Sequence, residues 1–126
     1  MTRRISIAIA LLTGLGMIFI GVRFLIAPEP AEAGFGLHFN EQGDYSFHYI
    51  KGIRDLFSGI AICLLIFSKQ IKALGLILLA GAIIPTADML IVLSKPYNGI
   101  AQAMAHITAI IICSVVGTIL LINKRA

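Results

Sequence analysis

Long apolar segments separated by short polar stretches dominate the chain. Four of them can be outlined, over residues 5–27, 49–68, 71–93 and 100–122. Each has about the 20 residues that an α-helix needs to cross the hydrocarbon core of a bilayer. The pattern therefore predicts an all-α fold, a four-helix transmembrane bundle, in a single integral membrane domain over residues 1–126.

The first segment has the features of a helix that stays in the membrane. It is longer than the apolar core of a secretory signal, which has about 7–15 residues, and Arg23 lies inside it. Gly14 and Gly21, one heptad apart, predict a face for close packing against another helix. Pro28 and Pro30 follow the segment and predict the end of the helix.

The second segment carries charges inside its predicted span. The apolar run from Leu56 to Ser68 has only 13 residues, so a spanning helix must include Lys51, Arg54 and Asp55 in its first turns. A charge at the bilayer centre costs about 2.5–3.5 kcal/mol on insertion scales. We therefore expect these three side chains to find partners within the protein.

Composition agrees with a membrane protein. Of the 126 residues, 59% are hydrophobic and 13% are charged, whereas a soluble domain has about 45–50% and 25%. The net charge is +4, and six of the ten basic residues flank apolar segments. The lipid bilayer explains this basic excess better than a nucleic-acid partner, so no nucleic-acid binding is expected.

The basic residues also predict an orientation, because cytoplasmic loops are enriched in Lys and Arg. Six of the basic residues fall on one predicted side of the membrane. The other side has Lys95, and Lys51 lies at the boundary of that side. The pattern predicts that both termini are cytoplasmic and that residues 28–49 form a long extracytoplasmic loop. We expect the protein to lie in the bacterial inner membrane. The six are Arg3, Arg4, Lys69, Lys72, Lys124 and Arg125.

The loop over residues 28–49 is acidic and aromatic. Weak alternation in residues 37–39 and 45–49 is compatible with a short hairpin or with an aromatic lid at the membrane surface. A metal site is an alternative with generic spacing, and no metal is expected. That alternative would use His38, Glu41, Asp44 and His48.

Six polar side chains fall near the predicted outer ends of the helices. At about 1.5 Å per residue, all lie within about 5–11 Å of those ends. The inner halves hold no ionisable side chain except two cysteines, so the polar groups form a layer rather than the full-depth path of a channel. The six are Arg23, Arg54, Asp55, Asp88, Gln102 and His106.

This layer contains the groups needed for binding or proton transfer. Gln102 and His106 are four residues apart and share a helix face, and Pro85 predicts a bend in the helix that carries Asp88. We take Asp88 and His106 as candidate catalytic residues, acting as general acid or base. Arg23, Arg54, Asp55 and Gln102 are candidate binding residues.

Each candidate also has a purely structural interpretation. Arg23 could extend towards the headgroups, and either arginine could form a structural ion pair with Asp88. Asp55 could pair with Lys51, and His106 could be a packed, hydrogen-bonded histidine. These alternatives stay open at the level of the sequence.

Several motifs together resemble a known family. The chain resembles the small membrane proteins of domain of unknown function 4267 and, more distantly, the DoxX-like four-helix membrane proteins. The resemblance implies four transmembrane helices and no established activity. It rests on the segment from Gly21 to Pro28, on Gly34 to Leu37, on Lys51 to Asp55 with Ser58 and Gly59, on Ile84, Pro85 and Asp88, and on His106.

We expect the protein to bind or transform a small, partly apolar molecule in a polar pocket near the outer leaflet. The alternatives are a homodimeric proton-coupled transporter of small molecules and a non-catalytic accessory subunit of a membrane complex. The sequence has no dinucleotide, Walker or haem-ligand motif, so no cofactor is expected. Whether the protein is an enzyme is left open by the sequence.

Overall fold

The computed structural model describes residues 1–38 and 43–123, and in these ranges it contains six α-helices and no strand. The all-α prediction is confirmed. Three stretches are long and apolar enough to cross a membrane, namely Arg3–Ile26, Ile71–Leu93 and Ile100–Ile122. The helices are α1 (Arg3–Ile26), α2 (Pro28–Phe35), α3 (Ser46–Phe67), α4 (Ile71–Gly81), α5 (Ile83–Leu93) and α6 (Ile100–Ile122).

Helix α3 is long enough to span but differs from the other three in its charges. It has 22 residues, and every stretch of 18 residues within it includes Lys51, Arg54 and Asp55. Each such window of α3 thus has three charged side chains, whereas each of the other three stretches has a window with at most two. That α3 crosses the membrane stays a prediction.

The connection between α1 and α3 is partly helical. Helix α1 ends at Ile26, and Ala27 has an extended, non-helical backbone before α2 begins at Pro28. A proline is well placed at the start of a helix, because its missing N–H would have no intrahelical partner there. The hairpin interpretation is wrong at residues 46–49, which form the first turn of α3. Residues 39–42, its predicted tip, lie outside the described residues.

Helices α1 and α3 pack along their length through two facing glycine pairs. A Cβ atom added at Gly21 would lie 2.7 Å from the carbonyl oxygen of Gly52, and one at Gly52 would lie 2.9 Å from that of Gly21. Gly14 and Gly59 form the second pair in the same way. The close-packing face predicted from Gly14 and Gly21 is confirmed.

A third glycine pair joins α4 to α6. Cβ atoms added at Gly75 and Gly117 would lie 3.1 and 3.0 Å from the partner's carbonyl oxygen. An apolar cluster lies beside this contact and unites α1, α3, α4 and α6 at the end of the bundle opposite α2. It consists of Ala10, Ile62, Ile71, Leu74, Leu78, Val116 and Leu120.

The stretch from Ile71 to Leu93 is broken at Ala82, where α4 gives way to α5. Pro85 has no N–H to donate to the carbonyl of Gly81, four residues earlier. The hydroxyl of Thr86 donates to the carbonyl of Ala82 at 2.7 Å. The helix is thus interrupted close to Pro85, and a bend in the helix that carries Asp88 stays a prediction.

Replacing Gly21 by alanine is expected to destabilise the protein by about 1–3 kcal/mol, the usual range for overpacking. The added methyl group would lie 2.5 Å from the backbone nitrogen of Leu56, so the two helices must separate. Gly16→Ala is the matched control, because nothing lies within 4 Å of that position. Unfolding in detergent measures both variants, and equal stability would contradict the backbone contact.

Candidate functional site

The polar residues at the end of the bundle opposite the apolar cluster are covered by a segment that we call the strap, residues 28–38. It comprises α2 and the three residues after it. The carbonyl of Gly36 accepts a hydrogen bond from the Asn98 amide at 2.6 Å, and the same amide donates to the carbonyl of Val92 at 2.9 Å. The backbone N–H of His38 donates to the Tyr97 hydroxyl at 3.3 Å. The strap therefore connects the end of α1 to the turn between α5 and α6.

Gly36 ends α2 in the left-handed region, with φ at 97°. A side chain there would be strained, and its Cβ atom would lie 3.1 Å from Val92. This glycine turns the chain so that its carbonyl meets Asn98. The geometry explains why a glycine is needed at the end of the strap helix.

The strap is also held by an acid–histidine pair. An oxygen of Glu32 lies 2.5 Å from Nε2 of His48, in the first turn of α3, and both side chains are buried. The imidazole of His48 lies against the rings of Phe24 and Tyr45, with centroids 6.2 and 5.4 Å away. Sequence reasoning did not select this pair, because 16 residues and a chain reversal separate its members.

Lys51 lies at the centre of the charged residues of α3. Its ammonium is 2.6 Å from an oxygen of Asp55 and lies 4.8 and 4.7 Å from the ring centroids of Phe24 and Phe35. Aromatic faces attract cations, so the ammonium is held by one carboxylate and two rings. The pairing of Lys51 with Asp55, one of the open alternatives, is confirmed.

His106 brings α6 under the strap. Its side chain is buried, its Nε2 lies 3.1 Å from the carbonyl oxygen of Phe35, and its ring meets that of Phe35 edge-on at 4.6 Å. Gln102, one turn earlier on α6, is exposed and accepts a hydrogen bond from the N–H of Gly99 at 2.8 Å. Its amide oxygen therefore caps the start of α6.

Asp88 completes the group of charges. It is partly buried and interacts electrostatically with Lys51, His106 and Asp55. It forms no hydrogen bond or ion pair with any residue that the structure describes. Asp88 thus lies inside an apolar stretch, and its carboxylate accepts no hydrogen bond from the described residues.

The two candidate arginines lie apart from this group. Arg54 is exposed, and within residues 1–38 and 43–123 its guanidinium has no ion-pair partner. Arg23 is partly buried, and its guanidinium lies 5.9 Å from the ring centroid of Phe19 on its own helix. Of the six candidates, the structure brings together Asp55, Asp88 and His106. We call these three, with Lys51, Glu32 and His48, the polar cluster.

Of the four residues of the alternative metal site, the three that the structure describes contact other side chains or backbone groups. Asp44 accepts hydrogen bonds from the backbone N–H and hydroxyl of Ser46, which lower the pKa of its carboxyl group. His48 contacts Glu32, and the ring of His38 lies 5.3 Å from that of Tyr97. Glu41 lies outside the described residues.

A tyrosine ties the start of α3 to the strap. The hydroxyl of Tyr45 donates to the carboxylate of Glu29, which raises the pKa of the phenol. Glu29 lies in the first turn of α2 and Tyr45 immediately precedes α3. This exposed contact reinforces the buried contact between Glu32 and His48 on the same two helices.

A small cavity lies beneath the strap. Its volume is about 50 Å³, enough for a few water molecules, whereas pockets for drug-sized ligands have about 300–1,000 Å³. A ligand of that size therefore does not fit inside the cavity itself. The cavity is lined by Phe24, Glu32, Phe35, Leu37, Phe47, His48 and Lys51.

A larger groove of about 350 Å³ lies at the helix break, between the stretch around Ala82 and α6. Its lining is mostly aliphatic, and its polar side chains are Thr86 and Ser114. None of its lining residues is ionisable. The groove can accommodate an apolar chain, but its lining offers no group for acid–base chemistry.

Comparison with known proteins agrees with the family resemblance. No curated protein and no solved structure matches the chain significantly. A family model described as Domain of unknown function (DUF4267) matches residues 14–120. This range contains all three glycine pairs, the strap and the polar cluster. The chain therefore belongs to the DUF4267 family.

Proposed function

We propose that the protein crosses the membrane four times, with α3 as the fourth span beside α1. The glycine pairs support this arrangement, because they hold α3 against α1 along most of its length. The contacts of Lys51 also support it, since an ammonium paired with Asp55 and covered by Phe24 and Phe35 is less costly in the membrane than a free one.

The proposed orientation has both termini in the cytoplasm and the strap outside, in the inner membrane of a bacterium. Its support is the distribution of basic residues. Arg3, Arg4, Lys69 and Lys72 lie at the end of the bundle that holds the apolar cluster, and the strap lies at the other end. Lys and Arg are enriched in cytoplasmic loops.

Cysteine labelling tests the number of spans. Gly34→Cys lies in an open position on the strap, and Ser68→Cys lies in the exposed turn between α3 and α4. Four spans place these positions on opposite sides of the membrane, so a membrane-impermeant thiol reagent added outside intact cells should label only Gly34→Cys. Three spans, with α3 outside the membrane, would expose both positions on one side.

Cys63 and Cys113 are replaced by alanine in both labelling variants, so that the introduced thiol is the only one. Permeabilised cells provide the control, because both positions should then react. Labelling of both variants in intact cells would overturn the proposal that α3 spans, and labelling of Ser68→Cys alone would reverse the proposed orientation.

We further propose that the polar cluster binds a small, partly apolar molecule near the outer leaflet. The observation that carries this proposal is Asp88, a partly buried carboxylate that makes no direct polar contact with the described residues. Its oxygens are not sealed inside the protein, and ionisable residues within membrane segments are typical of functional sites. The rings of Phe24 and Phe35 provide an apolar surface beside Lys51.

In this proposal Asp88 and His106 exchange a proton or hydrogen bond with the ligand, and Lys51 stabilises negative charge on it. Lys51, rather than Arg23 or Arg54, is the cation that contacts the ligand in this proposal, because it lies within the polar cluster. Arg23 and Arg54 then reach towards the headgroups at the rim. A transporter would need polar groups deeper in the bundle, and the described inner halves hold no charged side chain.

A non-catalytic accessory subunit is the second candidate, and the satisfied pairs favour it. Glu32 with His48 and Lys51 with Asp55 are arranged as structural contacts of a stable outer end. In that case the cluster serves only to fold the chain and to present a surface to a larger complex. The two functions differ in what Asp88 contributes to stability.

Asp88→Asn is expected to leave the stability in detergent unchanged or to raise it, because it removes a charge without a direct partner. Asp55→Asn, on α3, is expected to cost about 3 kcal/mol, since it leaves the ammonium of Lys51 without its carboxylate. Unfolding by heat or denaturant compares the two variants. An equal loss in both would favour the accessory subunit over the binding site.

Native mass spectrometry of the purified protein is expected to detect a bound small molecule in the parent and to lose it in Asp88→Asn. Thr86→Val is the matched control, because Thr86 lines the groove rather than the cavity. The molecule should remain bound in that variant. Loss in Thr86→Val with retention in Asp88→Asn would move the site to the groove.

A further inference from the structure

His106 is held by the strap through only one of its two ring nitrogens. Nε2 lies 3.1 Å from the carbonyl oxygen of Phe35, which is 71 residues away in the chain. A carbonyl oxygen accepts hydrogen bonds and has no proton to give. Nε2 must therefore carry the hydrogen and donate it.

The other nitrogen is consequently the basic one. A neutral imidazole has a single N–H, so Nδ1 carries a lone pair when Nε2 is the donor. Nδ1 has no hydrogen-bond partner among the residues that the structure describes, and it is not sealed inside the protein. This atom is therefore accessible at the protein surface.

We propose that Nδ1 of His106 is the proton-accepting atom of the site and that the Phe35 carbonyl assigns it that role. This inference rests on the proposed binding function and specifies the ligand class, a partly apolar molecule with a weakly acidic hydroxyl group. Phe35 acts as a positioning residue through its backbone. Displacement of the strap removes the carbonyl and with it the preference for this tautomer.

The proton transfer balances without a cofactor. The ligand's O–H bond breaks, an N–H bond forms at Nδ1, and the electron pair stays on the ligand's oxygen. Asp88 faces the resulting imidazolium electrostatically. The ammonium of Lys51 lies against the same Phe35 ring as His106 and stabilises the oxyanion. The site thus provides an opposite charge for each charge that forms.

Nitrogen NMR of protein labelled with ¹⁵N-histidine tests the tautomer directly. At a pH at which imidazole is neutral, His106 is expected to show a protonated Nε2 and an unprotonated Nδ1. Its signals are identified by their absence in a variant that lacks His106. A protonated Nδ1, or an average of the two tautomers, would overturn the assignment.

Two amide variants separate the roles of the nitrogens. In His106→Gln the side-chain amide can reach the position of Nε2 and still donate to Phe35, but no base remains. In His106→Asn the amide reaches only the position of Nδ1. We expect the glutamine variant to unfold near the temperature of the parent and the asparagine variant to unfold lower. The reverse order would contradict the contact with Phe35.

The ligand class is tested with para-octylphenol and its methyl ether, which differ in the acidic hydroxyl group. The phenol is expected to shift the Nδ1 signal of His106, and the ether is not. An equal shift by both probes would show apolar contact alone and overturn the proposed class. The tautomer experiment needs no ligand, so its result does not depend on binding. If His106 shows the expected tautomer but neither probe nor any other small molecule binds, the binding function is rejected and the tautomer assignment stands.

Discussion

The ammonium of Lys51 is the charge on which the half of the bundle beneath the strap depends. It brings a full positive charge into a helix that packs against membrane-compatible segments, and Asp55, Phe24 and Phe35 surround it. Because charges are poorly solvated in such surroundings, these partners have to be in place together. The strap supplies Phe35, whose ring both covers the ammonium of Lys51 and lines the cavity.

Close approach of the helices makes this arrangement possible. The glycine pairs let α1 and α3 touch backbone to backbone, and van der Waals contact of this kind stabilises helix pairs where lipid offers no hydrophobic driving force. Phe24, three residues beyond Gly21, then lies beside His48 and Lys51 of α3. The packing of small residues thus sets the position of the charged ones.

The strap converts three separate helix ends into one site. It contacts α3 through Glu32, α6 through the Phe35 carbonyl, and the turn before α6 through Gly36. These contacts use both side chains and backbone carbonyls, so moving the strap changes the surroundings of His106 and Lys51 together.

The sequence by itself determined the features that depend on local spacing. These are the all-α fold, the three long apolar stretches, the glycine face of α1, the helix break near Pro85 and the pairing of Lys51 with Asp55 one turn later. Hydrophobic period and i, i+4 geometry suffice for these. Only the tertiary structure decided the Glu32–His48 pair, the Phe35 carbonyl on His106 and the outward position of Arg54. These depend on how the strap folds back across the helix ends, and contacts between residues 16 to 71 positions apart leave no periodic signal in a single chain.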